Sequence, residues 1–141
     1  MVATNLDVVR SIYAAWERGD FSASDWADEE IEFAVIGGPN PGTSTGLAGM
    51  ARLWAGVLNT FERAYSTVDE YRELDDERIL VLYRNYGVGK VSGLEVSRLG
   101  ATQASLFHLR DQKVTKLIIW WGRERALVDL GLGPESDAAD P

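Results

Sequence analysis

Cysteine is missing from the chain altogether, which removes disulfides, thiol nucleophiles and thiolate metal sites from consideration. Histidine is nearly missing. His108 stands alone, so any motif that needs two is excluded, and zinc chemistry becomes improbable with it. Basic residues are few against acidic ones, 14 to 22, for a formal charge of −8, and no Lys/Arg cluster is dense enough to neutralise several phosphates. Nucleic acid and anionic membrane surfaces are therefore not expected as partners. Apolar residues never run uninterrupted for the ~18 residues of a membrane span, and Met1-Val2-Ala3-Thr4-Asn5-Leu6-Asp7 holds no basic segment followed by an apolar one. A cytoplasmic protein is expected, with no metal and no organic cofactor.

What is present describes one globular domain. The 141 residues are 45% hydrophobic and include five tryptophans, and a chain of this size buries roughly 70% of the surface its unfolded form exposes. The domain is expected over residues 1–132. Residues 133–141 carry Glu135, Asp137 and Asp140 without a base, and read as an acidic disordered tail.

Thr4 with Asp7 is a capping-box pattern, and Leu6, Val9, Tyr13 and Trp16 recur at helical spacing before Gly19. Phe21 to Asp28 reads as a short helical turn carrying Trp26, followed by a strand over Ile31 to Ile36. Gly37 to Gly46 is rich in Gly and Pro and reads as a loop. It lacks the Gly-Lys-Ser/Thr ending that a phosphate-cradling loop requires, so a surface loop or pocket rim is expected. Met50, Leu53, Trp54, Val57, Leu58 and Phe61 mark another helix from Leu47. Four strands follow, Tyr65–Leu74, Ile79–Tyr86, Leu94–Arg110 and Val114–Trp121, divided by the turns Asp75-Asp76-Glu77, Gly87-Val88-Gly89-Lys90 and Asp111-Gln112-Lys113. A helix over Arg123–Leu130 stops at Gly131.

Helices segregated from most of the strands define an α+β fold, with short turns between antiparallel neighbours. Its sheet is apolar on both faces: Ile79, Val81 and Tyr83 alternate with Leu80 and Leu82, and Ile118 and Trp120 with Leu117, Ile119 and Trp121. Antiparallel sheets commonly leave one face to water. A homodimer burying a face made of Ile79, Val81, Tyr83, Ile118 and Trp120 is the expected remedy.

The segments Asp75 to Leu82, Gly89 to Val96, Leu109 to Val114 and Arg123 to Leu127 with Gly131-Leu132 resemble the bacterial nuclear transport factor 2-like proteins grouped as SnoaL-like. The resemblance spans about residues 5–132 and rests on turn and core signatures, which speak for fold more than activity. It implies a cone-shaped α+β barrel, a curved and mostly antiparallel sheet wrapped around helices, with a deep pocket and usually a homodimer. The superfamily includes steroid isomerases, polyketide cyclases, epoxide hydrolases, dehydratases and noncatalytic binders. The ketosteroid isomerase base would fall at Ala34, after Trp26-Ala27-Asp28-Glu29. That enzyme's hydrogen-bonding acid would fall at Ser105, and its helix-borne tyrosine nearest Ile12, one residue from Tyr13. None of the three matches, and the Asp/Arg/Asp set of a limonene-epoxide-hydrolase-like site is absent from the last two strands.

The pocket expected by this comparison turns Phe107 and Trp121 inward and His108 and Trp120 outward, which makes His108 a structural or interface residue rather than a base. Gln103, Ser105 and Phe107 then share one inner strand face, and Arg84 and Tyr86 another. A register shifted by one residue would put Tyr83 and Asn85 inside instead. An inward Arg84 needs a carboxylate, with Glu32 within the chain as one source. Tyr13, Trp16, Trp26 and Trp54 roof the pocket from helical segments. The expected ligand is a small, mostly apolar molecule. A cyclase, isomerase, hydrolase or dehydratase working with Tyr, Gln and water is the first alternative, and a noncatalytic dimeric scaffold with a filled interior the second.

Overall fold

The computed structural model describes residues 4–18, 20, 25–37, 41–58, 61–89 and 102–132; of residues 56–58, 61–66 and 85–89 it describes the backbone. The elements run α1 (Asn5–Glu17), β1 (Ala27–Ile36), β2 (Gly42–Thr45), α2 (Leu47–Leu58), β3 (Phe61–Glu73), β4 (Arg78–Gly89), β5 (Thr102–Arg110), β6 (Lys113–Trp120) and α3 (Arg123–Asp129). α1 begins where the capping box sets it. Asp7 N donates to Thr4 Oγ1 at 3.0 Å and Thr4 N to Asp7 Oδ2 at 3.2 Å, which satisfies two of the helix's orphan donors. Its Val9, Ile12, Tyr13 and Trp16 fall on one buried stripe.

The strands form one curved sheet in the order β2-β1-β6-β5-β4-β3, antiparallel throughout except for the parallel pair β1 and β6. The β5–β6 hairpin turns on Asp111 and Gln112, both at positive φ, as a right-twisted two-residue turn requires. In β3 a bulge sets Val68 opposite Tyr83 and Glu70 opposite Leu82, leaving Asp69 as the extra residue.

Three readings from sequence change here. The Gly/Pro-rich segment contains β2, whose Gly42–Thr45 pairs antiparallel with Glu32–Val35, so the segment folds back as a hairpin edge. Residues 21–24 lie outside the described residues, but Ala27 and Asp28 open β1 instead of closing a helical turn. Gly87 to Gly89 continue β4 against Phe61 to Ala64 instead of turning, and Phe61 opens β3 rather than closing α2. Of the long strand expected over Leu94–Arg110, residues 102–110 are described; 90–101 and the tail 133–141 lie outside the described residues.

Each face of the sheet has its own core. α1 and α2 cover one face, where Ile31, Phe33, Val35, Ile79, Val81, Tyr83, Phe107, Leu117 and Ile119 pack with Tyr13 and Trp16. α3 covers the other with Ala126 and Leu127 over Leu80, Leu82, Ala104, Leu106 and Trp120. The five residues expected on one dimerising face are therefore divided: Ile79, Val81 and Tyr83 lie under α1, while Ile118 and Trp120 lie under α3. The second apolar face is covered within the chain, so the five residues do not form one exposed patch. Among the described residues no helix is long and apolar enough to cross a membrane, and no group of three or more Asp, Glu or His could hold a metal ion.

Candidate functional site

Register decides what the interior contains. Ile79, Val81 and Tyr83 of β4 stand opposite Phe107, Ser105 and Gln103 of β5, and β6 continues the row with Leu117 opposite Phe107 and Ile119 opposite Ser105. Side chains directly opposite share a face, so the inner face of β5 is Gln103, Ser105 and Phe107, all buried. Tyr13 descends on them from α1. Its ring centroid lies 4.7 Å from that of Trp16, 5.3 Å from Tyr83, 5.9 Å from Phe107 and 6.3 Å from Tyr71. Contacts of this kind contribute about 0.5–1.5 kcal/mol each beyond the area they bury.

Polar atoms sit at the centre of this aromatic packing. Tyr13 Oη and Ser105 Oγ are fully buried; the hydroxyls of Tyr13, Tyr83 and Ser105 lie within hydrogen-bonding reach of one another, but the angles leave the Tyr13 and Ser105 oxygens without a bond of good geometry. Leaving such an atom unsatisfied costs roughly 1–3 kcal/mol. Burial, reinforced by the neighbouring Tyr83, pushes the Tyr13 phenol well above its ordinary range. Burial likewise raises Tyr83 strongly, against hydrogen bonding from Ser105 and Tyr13. At physiological pH both phenols keep their protons, so they can donate hydrogen bonds but cannot act as bases.

Tryptophans pack beside this cluster. Trp16 stands with its ring centroid 5.0 Å from Trp54 and 6.2 Å from Trp26, and Phe33 lies 5.5 Å from Trp54. Trp16 is buried, whereas Trp26, Trp54 and Trp121 are half-buried and pack against the same core. Burial thus increases from the half-buried indoles to the enclosed hydroxyl cluster. Where α1 begins, a cavity of about 440 Å³ is lined by Thr4, Asn5, Leu6, Glu73, Asp75, Asp76 and Ile79, with no tryptophan in its lining.

Tyr13, Trp16, Gln103, Ser105 and Phe107 are brought together as the sequence suggested, with Trp26, Trp54 and Trp121 packed against their cluster. Arg84 is not among them. It stands opposite Thr102, on the same face as Leu80 and Leu82, and its Nε donates to Asp69 Oδ2 at 3.0 Å. The shifted register is the observed one, with Tyr83 inside; the side chains of Tyr86 and Asn85 lie outside the described residues. Glu32, the carboxylate considered for an inward arginine, is exposed, because Ile31, Phe33 and Val35 are the buried side chains of β1. Ala34 pairs with Ile118 on the α3 side. No Asp or Glu is buried among the described residues. His108 faces outward opposite Lys116, and burial, helped by Lys116 and Arg78, lowers its pKa below 6.5. Tyr71 was missed as a site residue and Tyr83 was held only as the alternative register; cross-strand pairing is the signal that reveals them.

The fold is that of the nuclear transport factor 2-like proteins, as solved structures with this architecture make plain. A nuclear transport factor 2-like protein of unknown function from Burkholderia pseudomallei K96243 superposes with a TM-score of 0.70, at 18% identity, over 90% of this chain and 97% of that one. TerC, co-crystallized with polyporic acid, matches at 0.69 and 18% identity over 92% and 98% of the two chains. A SnoaL-like protein described as a putative polyketide cyclase, from Jannaschia sp. CCS1, matches at 0.65 and 15% identity over 97% and 93%. No family model matches the chain, and no curated protein matches it either.

Proposed function

We propose that the interior of the cone binds one small, mostly apolar molecule whose acceptor oxygen docks on the hydroxyls of Tyr13 and Ser105. The observation that carries this reading is the pair of fully buried hydroxyl oxygens left without a good hydrogen bond inside an aromatic wall. A monomer's core gains nothing from such atoms, since buried polar groups are nearly always paired and an exception calls for an explanation. Ligand sites are built in this manner, with apolar walls and a few placed polar groups. Because both phenols stay protonated, the acceptor they suit is a carbonyl or enol oxygen rather than a cationic group. The fold neighbours named for polyporic acid and for polyketide cyclisation are compatible with that chemistry.

Binding ranks above catalysis for one reason. Donors of this kind could stabilise an enolate, but proton abstraction also needs a base, and no carboxylate is buried among the described residues. The test is a titration of tryptophan emission with fluorenone, which carries one carbonyl, and with fluorene, which lacks it. Saturable binding is expected for both, tighter for the ketone, and polyporic acid serves as a larger probe of the same site. No saturable change with any of the three would overturn the reading in favour of a filled scaffold.

A further inference from the structure

Arg123 is an anomaly on two counts. It is a nearly fully buried guanidinium, and it opens a helix, where the macrodipole disfavours positive charge. Its acceptors explain the placement. Nη2 donates to Asp69 Oδ2 at 2.8 Å and to the Tyr83 carbonyl at 2.9 Å, and Nε donates to the Gln103 carbonyl at 3.3 Å. One side chain from α3 thereby joins three neighbouring strands, β3 through its bulge residue, β4 and β5.

Two of those acceptors belong to residues whose side chains enter the opposite face. Tyr83 and Gln103 stand directly across from each other, with their side chains buried in or beside the hydroxyl cluster under α1. A planar fork of fixed geometry that holds both carbonyls restricts how far the two backbones can move apart. Asp69 completes the clamp: burial works against its charge, but hydrogen bonds from Arg123 and Arg84 hold its carboxyl below the ordinary 3.8.

We propose that Arg123 is a positioning residue for the interior site, setting through the thickness of the sheet where Tyr83 and Gln103 place their side chains. Docking of α3 on one face is then linked to the geometry of the cluster on the other, and a ligand that engages the cluster tightens α3 to the same degree that α3 tightens the ligand. The functional meaning rests on the interior being the ligand site, whereas the coupling can be measured without a ligand, so the two can fail separately.

The experiment uses the full chain carrying tyrosine labelled with carbon-13 at Cζ, observed by NMR, with the Tyr83 and Tyr13 resonances assigned by Tyr→Phe substitution. Arg123→Met is expected to shift the Tyr83 resonance by more than its linewidth. Arg123→Lys, which keeps charge but loses the fork, should shift it by a smaller amount. Leu127→Ala, which weakens α3 packing while leaving the clamp in place, should leave it where it was. Should Arg123→Met fail to fold, Asp69→Asn removes the clamp's carboxylate and is expected to move Tyr83 in the same direction. An unmoved Tyr83 in the clamp variants, or an equal shift in Leu127→Ala, would overturn the proposal.

Discussion

The two faces of the β4–β5–β6 sheet each bury apolar side chains, a larger and more aromatic set under α1 than under α3, and treat their polar atoms differently. Under α3 the polar groups are partnered: Trp120 Nε1 donates to Asp129 Oδ2 at 3.0 Å, and Arg123 reaches Asp69 and two carbonyls. Under α1 the hydroxyls of Tyr13 and Ser105 are enclosed without a bond of good geometry. Proteins that depart from full polar satisfaction do so mostly where they function. Under the proposed function, the α3 face serves stability and the α1 face recognition.

The largest expected effect tests whether the inner aromatics are packed. Phe107→Ala should lower unfolding free energy in urea by about 3–5 kcal/mol, the usual result for an aromatic deleted from a core. A loss below about 1 kcal/mol would mean that the ring borders open space, which sharpens the contrast in favour of a larger cavity. Next comes the clamp on the other face. Arg123→Met should cost about 2–3 kcal/mol, below the range for fully buried pairs because the Asp69 side chain keeps 32% exposure.

Smaller effects separate the faces more directly. Trp120→Phe removes a satisfied donor and should cost about 0.5–1.5 kcal/mol. Tyr13→Phe and Ser105→Ala remove unsatisfied ones and should leave stability within about 1 kcal/mol or raise it. Equal losses for all three would erase the distinction. The last effect appears only at alkaline pH. The folded state holds Tyr13 and Tyr83 protonated above their unfolded value near 10. Between the unfolded and folded pKa the folded state binds more protons, so stability falls as pH rises beyond about 10. Thermal unfolding across that range should show the decline, and Tyr13→Phe should reduce it.

How much of this was legible depended on whether a signal was local. The Thr4/Asp7 box and the spacing Leu6, Val9, Tyr13, Trp16 placed α1 within a residue, because capping and helical period are written in a few neighbouring positions. Gln103, Ser105 and Phe107 followed from the family resemblance, which turned Phe107 inward, with alternation carrying that choice along β5. β4 defeated the same logic. Ile79-Leu80-Val81-Leu82-Tyr83 is apolar at both parities because both faces are covered, so period two leaves no mark and Arg84 was assigned inward. β2 hid among Gly and Pro, and its edge position tolerates such residues. The Arg123 clamp spans 54 residues of sequence to Asp69, and nothing local announces it.

The central claim is that Tyr13 and Ser105 hold an acceptor oxygen of the ligand, and the double variant Tyr13→Phe with Ser105→Ala tests it most directly through the affinity for fluorenone measured beside fluorene. The account predicts that fluorenone weakens by about tenfold or more, two hydrogen bonds at roughly 0.5–1.5 kcal/mol each, while fluorene binds as before. Unchanged fluorenone affinity in a folded double variant would contradict it.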